Sequence, residues 1–169
     1  MKHPGLQHEI RKVRPFDVPE QEAYLNLART HAQLSGEFDR LFRQAGLSEA
    51  TYNALRILRG AAHEGPGRRS CREIGDQMVA QVPDVTRLID RLAAQGLAER
   101  DRSTDDRRVV YVKITQKGLD LLAQLDQPVM DMHRQQLHHL TRQDLDELNR
   151  LLVKARHRDG ADTHMNGRV

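Results

Sequence analysis

Ser70-Cys-Arg-Glu-Ile-Gly-Asp-Gln-Met-Val79, then Val82-Pro-Asp-Val-Thr-Arg-Leu-Ile-Asp-Arg-Leu92, then Arg100-Asp-Arg-Ser-Thr-Asp-Asp-Arg-Arg108 decide how this chain is read. In the first piece Ser70 sits three residues before Glu73, the reciprocal spacing of a capping box, so a helix starts there. Cys71, Ile74 and Met78 follow at intervals of three and four and predict its buried face. Gly75 leaves room for a second helix to cross closely. The second piece places Pro83 in the first turn of that next helix. Val85, Leu88, Ile89 and Leu92 line one side of it, while Thr86, Arg87, Asp90 and Arg91 line the other. Gly96 ends it.

A short strand is expected from Leu97 to Arg100, and Val110, Val112 and Ile114 alternate with Val109, Tyr111 and Lys113 as a half-buried strand does. Between them the polar run from Asp101 to Arg108 has the length of a hairpin loop. Two short helices, a tight turn and a charged hairpin make a winged helix-turn-helix, here assigned to residues 47–115.

The flanks are helical. Residues 1–18 hold Pro4, Gly5 and Pro15 with no clear period and are read as an arm. Pro19, with Glu20 and Glu22 in its first turn, opens a helix ending at Gly46, with Leu27, Leu34, Phe38, Leu41, Phe42 and Ala45 at helical spacing. Tyr24 and Leu25 lie outside that stripe, more apolar surface than one small core needs. Ser48 caps the following helix, weakened near Gly60, and residues 60–69 read as a turn-rich loop. Beyond Thr115 a long helix contains Pro128, an expected kink. Leu140-Thr141-Arg-Gln-Asp144 restarts a last helix, and residues 158–169 read as a disordered tail. The fold class is thus mainly α with a small β-hairpin wing: a winged helix-turn-helix plus a helical region, 19–46 and 116–157.

Composition narrows the function. Of 169 residues 30% are charged, yet the net charge is only +3, so a nucleic-acid partner must be met by a local basic patch. No apolar run reaches the roughly 18 residues of a bilayer span, and the N-terminus lacks a signal peptide's apolar core. The lone cysteine excludes an intramolecular disulfide; a cytoplasmic location is expected. No phosphate loop, activated nucleophile or carboxylate pair is visible, so the chain reads as a non-enzyme without a cofactor. His133, His138 and His139 cluster, but a spacing of five between the first two and the absence of converging ligands argue against a metal site.

The order of elements resembles the MarR family of dimeric bacterial transcription regulators. The resemblance spans roughly residues 20–157. It is carried by Gly46-Leu47-Ser48, Val85-Thr-Arg-Leu-Ile-Asp-Arg-Leu92, Gly96-Leu-Ala-Glu-Arg100, Asp106-Arg-Arg108 and Ile114-Thr-Gln-Lys-Gly118. It implies a homodimer in which the first and last two helices form the interface. It also implies an inverted-repeat operator on double-stranded DNA, with half-sites about one helical turn apart, and a repressor released by a small-molecule effector.

Candidate DNA contacts follow. Pro83, Asp84, Thr86, Arg87 and Arg91 stand where a recognition helix meets base edges. Arg87 and Arg91 suit guanine or phosphate alike. Asp84 could accept from cytosine, cap its own helix or repel phosphate. Asp106 and Arg108 match the family's wing pair, in which the arginine enters the minor groove and the aspartate holds it; Arg107 is a backbone candidate, as are Arg100 and Arg102. Ser70, beside Arg68, Arg69 and Arg72, suits a phosphate. For the effector, the cleft between the dimer helices and the winged domain would be lined by His31, Ser35, Phe38, Tyr52 and Arg56. Cys71 reads as packing rather than as a redox sensor. The competing reading is a winged helix that binds protein without specific DNA readout.

Overall fold

The computed structural model describes residues 4–64, 67–102 and 110–157, with the side chain of residue 102 excepted. These contain seven helices and three strands: α1 Leu6–Glu9, α2 Pro19–Gln44, α3 Glu49–His63, β1 Arg69–Ser70, α4 Cys71–Gln77, α5 Val85–Ala94, β2 Ala98–Arg102, β3 Val110–Ile114, α6 Gln116–Leu137 and α7 Arg142–Arg156. Contacts divide the chain into a unit ending at Met132 and a second beginning at His133.

Local chemistry explains most boundaries. At α3, Ser48 Oγ accepts from Thr51 N at 3.2 Å and Thr51 Oγ1 accepts from Ser48 N at 2.7 Å. At α4, Ser70 and Glu73 make the same reciprocal pair, and Glu73 draws its carboxyl below the ordinary range through hydrogen bonds from Ser70. At α7, Thr141 and Asp144 repeat it. The expected stops at Gly46 and Gly96 take φ of 71° and 69°, the left-handed region that a side chain would strain.

Four expectations change. The arm contains α1, whose Leu6 is 3% exposed; the helix is only four residues long, too short for a hydrophobic period to show. The third helix runs to His63, through Gly60 and three residues into the expected loop, because tertiary burial of Ala61 outweighs the glycine penalty. Arg69–Ser70 form a third strand, so the order is β1-β3-β2, all antiparallel, with Arg69 opposite Val112 and Arg100 opposite Val112 on the other side. Finally, α5 begins at Val85 rather than Pro83, with Asp84 as its N-cap. α6 continues through Pro128 as one helix.

The core lies in the winged unit. Leu55 and Leu58 of α3, Ile74 of α4, Ile89 and Leu92 of α5, Val112 of β3 and Leu122 of α6 are fully buried. Each such side chain contributes about 1.5–3 kcal/mol relative to exposure. Gly75 earns its place: a Cβ there would lie 3.3 Å from Val85 Cγ2 where α4 meets α5. Gly118 is tighter still, since an added Cβ would meet the Leu97 carbonyl and lie 2.8 Å from Ile114 Cγ1. Cys71 and Met78 are half-buried against the same core, in line with packing. Among the described residues no helix is long and apolar enough to cross a membrane, and none of the His, Cys, Asp and Glu groups forms a metal cluster.

Candidate nucleic-acid interface

The presentation of α5 begins with its cap. Asp84 Oδ1 accepts from Arg87 N at 2.9 Å, and its negative charge meets the positive end of the helix. Of the three roles open to Asp84, the geometry occupies the carboxylate with capping. The apolar stripe of Leu88, Ile89 and Leu92 is buried, which turns Thr86, Arg87, Asp90 and Arg91 outward. Pro83 and Asp84 are also exposed.

Asp90, the other acid on that face, is held by Arg100 of β2 at 2.6 Å. Among the described residues, the side chains of Arg87 and Arg91 show no hydrogen bond or ion pair. The outward face of α5 therefore has its acids occupied and its guanidinium groups exposed, with no partner among the described residues. That is the charge pattern a phosphate-lined groove requires. Arg100, read from sequence as a backbone candidate, ties the helix to the strand that leads into the wing.

The base of the wing is braced by side chains. On β2, Asp101 takes Arg68 at 3.0 Å and Lys113 at 2.8 Å. Hydrogen bonds from Lys113 and then Arg68 hold its carboxyl below the usual range. The Arg68 guanidinium also lies 4.3 Å from the Tyr111 ring centre. Arg68 thus braces the base of the wing. The tip, with Asp106, Arg107 and Arg108, lies outside the described residues. The strands on either side of it run in register up to Arg102 opposite Val110.

Ser70 does two structural jobs. It pairs with Tyr111 in the sheet and caps α4, where its hydroxyl donates to Glu73 Oε2 at 2.8 Å. Arg72 is exposed beside it. The turn between α4 and α5 is anchored from α3, since Val79 N donates to Asn53 Oδ1 at 2.9 Å. Sequence reading missed Asn53 because one asparagine inside a helix carries no local signal.

The proposed effector residues divide. Phe38, Tyr52 and Arg56 come together: Phe38 and Tyr52 both stack on Phe42, with ring centres 6.0 and 4.3 Å away, and Arg56 donates to the Tyr52 hydroxyl at 3.1 Å. Tyr52 is itself a buried core residue. His31 is exposed on α2, and Ser35 donates to the carbonyl of Ala32 within its own helix. Below Arg56, Asp126 of α6 receives both arms of Arg59, at 2.7 and 2.8 Å, a bridge absent from the sequence reading.

The likeness to known proteins follows the same elements. Residues 50–110 match the sequence profile of the MarR family. The chain is similar to a MarR transcription factor from Planctomyces limnophilus, at 42% identity over 82% of this chain and 98% of that one, with a TM-score of 0.63. It is also similar to a cysteine-to-serine variant of Escherichia coli MarR solved in complex with operator DNA. There the identity is 25%, the coverage 90% of this chain and 99% of that one, and the TM-score 0.64. Among curated proteins it resembles the HTH-type transcriptional repressor IacR of Pseudomonas putida, 27% identical over 75% of this chain and 72% of that protein. With the helix-turn-helix, the braced wing and these relatives in agreement, the chain belongs to the MarR family of DNA-binding transcriptional regulators.

Proposed function

We propose that this protein is a repressor that binds an inverted-repeat operator as a homodimer and lets go when a small-molecule effector binds. The observation that carries the DNA contact is the face of α5, on which Asp84 and Asp90 are engaged by the protein itself while Arg87 and Arg91 stand exposed. In this reading Thr86, Arg87 and Arg91 read base edges or phosphates, with Pro83 and Asp84 setting the start of the helix. Arg108, steadied by Asp106, enters the minor groove beside Arg107, and Ser70 marks the phosphate nearest α4.

The homodimer is supported by large apolar side chains that stay exposed on their helices. Tyr24 and Leu27 on α2 are 70% and 46% exposed, and Leu148, Leu151 and Val153 on α7 are 39–47% exposed. No side chain of α7 is fully buried, and only Leu145 and Leu152 are half-buried. The repressor role is supported by the likeness to IacR. For the effector, the adjoining Phe38, Tyr52 and Arg56 offer aromatic faces and a cation, with His31 and Ser35 further along α2.

Selection of duplexes from a random-sequence pool tests this reading. It should enrich an inverted repeat whose half-sites are about one helical turn apart. Enrichment of a lone half-site would refute the dimer, and no enrichment would refute specific DNA readout.

A further inference from the structure

Pro128 lies inside α6, where it has no N–H to offer the carbonyl four residues back. The helix is weakest there, yet it runs through. Two residues earlier, Asp126 is gripped from α3, 67 positions away in the chain: Arg59 Nη1 and Nη2 donate to its two oxygens at 2.7 and 2.8 Å. A fork of this kind sets an angle as well as a distance. Arg56 stands 3.8 Å from the same carboxylate while donating to Tyr52, so the grip continues into the aromatic stack. The Arg59 side chain is only 20% exposed, and its aliphatic stem is packed rather than waving in solvent.

The geometry points to the Arg59–Asp126 fork as a joint that, beside the buried Leu122, Leu125 and Val129, fixes the angle of α6 against the winged domain just before the proline. Both would then be positioning residues for binding two half-sites at once, without touching DNA. This inference rests on the homodimer reading above. If α6 carries the winged domain at one end and helps form the dimer interface at the other, loosening the joint frees each reader to wander. The two readers would stay intact, but the second would no longer arrive in register with its half-site.

The test compares two duplexes derived from the selected sequence, one with both half-sites and one with a single half-site. The wild-type protein should prefer the full site by about a hundredfold or more, the ordinary gain from linking two binding modules. Asp126→Asn should lose about tenfold on the full site and change less than about twofold on the half-site, because only the linkage is affected. Arg59→Lys keeps the charge but cannot form the fork, and should lose about threefold on the full site alone. It carries the same comparison should Asp126→Asn fail to fold. Equal losses on both duplexes would show that the pair merely supports the domain, and no loss on either would show that it positions nothing; both overturn the inference. A wild-type protein without full-site preference would overturn the homodimer reading, and the inference with it.

Discussion

The winged unit and α7 are built to opposite standards of completeness. In the first, α3, α4, α5 and β3 close around Leu55, Leu58, Ile74, Ile89, Leu92 and Val112, all at 0% exposure. α7 has caps and ion pairs as good as any, with Thr141 and Asp144 at its start and Arg150 on Glu147 at 2.7 Å, yet none of its side chains is fully buried and only Leu145 and Leu152 are half-buried. Capping and pairing specify that a helix forms; only a packed face specifies where it belongs. A reader of DNA needs the first kind of region to hold side chains in register. A dimer needs the second kind, an apolar face left open for another chain.

The contrast is broken most sharply by truncation. Ile89→Ala should cost about 2–5 kcal/mol of unfolding free energy, because the fully packed site cannot collapse around the cavity. Leu151→Ala, at a residue 47% exposed in the chain itself, should leave the unfolding of the winged unit unchanged and instead weaken self-association in sedimentation runs at falling concentration. Equal thermal destabilisation by both would erase the distinction. Gly118→Ala is the next largest: forcing a methyl toward the Leu97 carbonyl and Ile114 should cost about 1–3 kcal/mol by chemical denaturation. A neutral result would mean that the wing and α6 yield more easily than their packing implies.

The smallest effect is one of pH. Hydrogen bonds from Arg59, then attraction to Arg59 and Arg56, hold the Asp126 carboxyl below its ordinary range against a burial effect that raises it. A carboxyl lowered on folding stabilises above its unfolded value, near 3.9, and that contribution vanishes as pH falls through the lowered one. The advantage of wild type over Asp126→Asn should therefore be full at neutral pH and shrink as pH falls below the ordinary carboxylate range, vanishing once the carboxyl is protonated in the folded state too. The carboxylate is 43% exposed, so solvent screening limits the effect to about 1 kcal/mol or less. An advantage that persisted in strong acid would mean that the carboxylate's charge is irrelevant.

Much of this was legible in the chain. Ser48, Ser70 and Thr141 announce their helices because a hydroxyl and a partner three residues on interact locally. The stripe of Val85, Leu88, Ile89 and Leu92 announces the inner face of α5 by period alone. β1 was not legible: two residues have no alternation, and Arg69 and Ser70 become a strand only because β3 lies beside them. The start of α5 was misplaced at Pro83, since proline in a first turn and proline just before a cap look alike until Asp84 is seen to accept from Arg87. The site shows the same division. Arg87 and Arg91 could be named from their face, whereas the roles of Arg100, Arg68, Asn53 and Asp126 depend on partners distant in sequence.

The central claim is that exposed guanidinium groups on α5 bind duplex DNA, and the salt dependence of that binding tests it most directly. For the selected duplex, log affinity against log salt should fall with a slope of about −0.9 for each phosphate neutralised. Arg87→Ala combined with Arg91→Ala should weaken binding, and the slope should become shallower by about one unit for each of the two arginines that contacts phosphate rather than base. Undiminished affinity with an unchanged slope in the double variant would contradict the account.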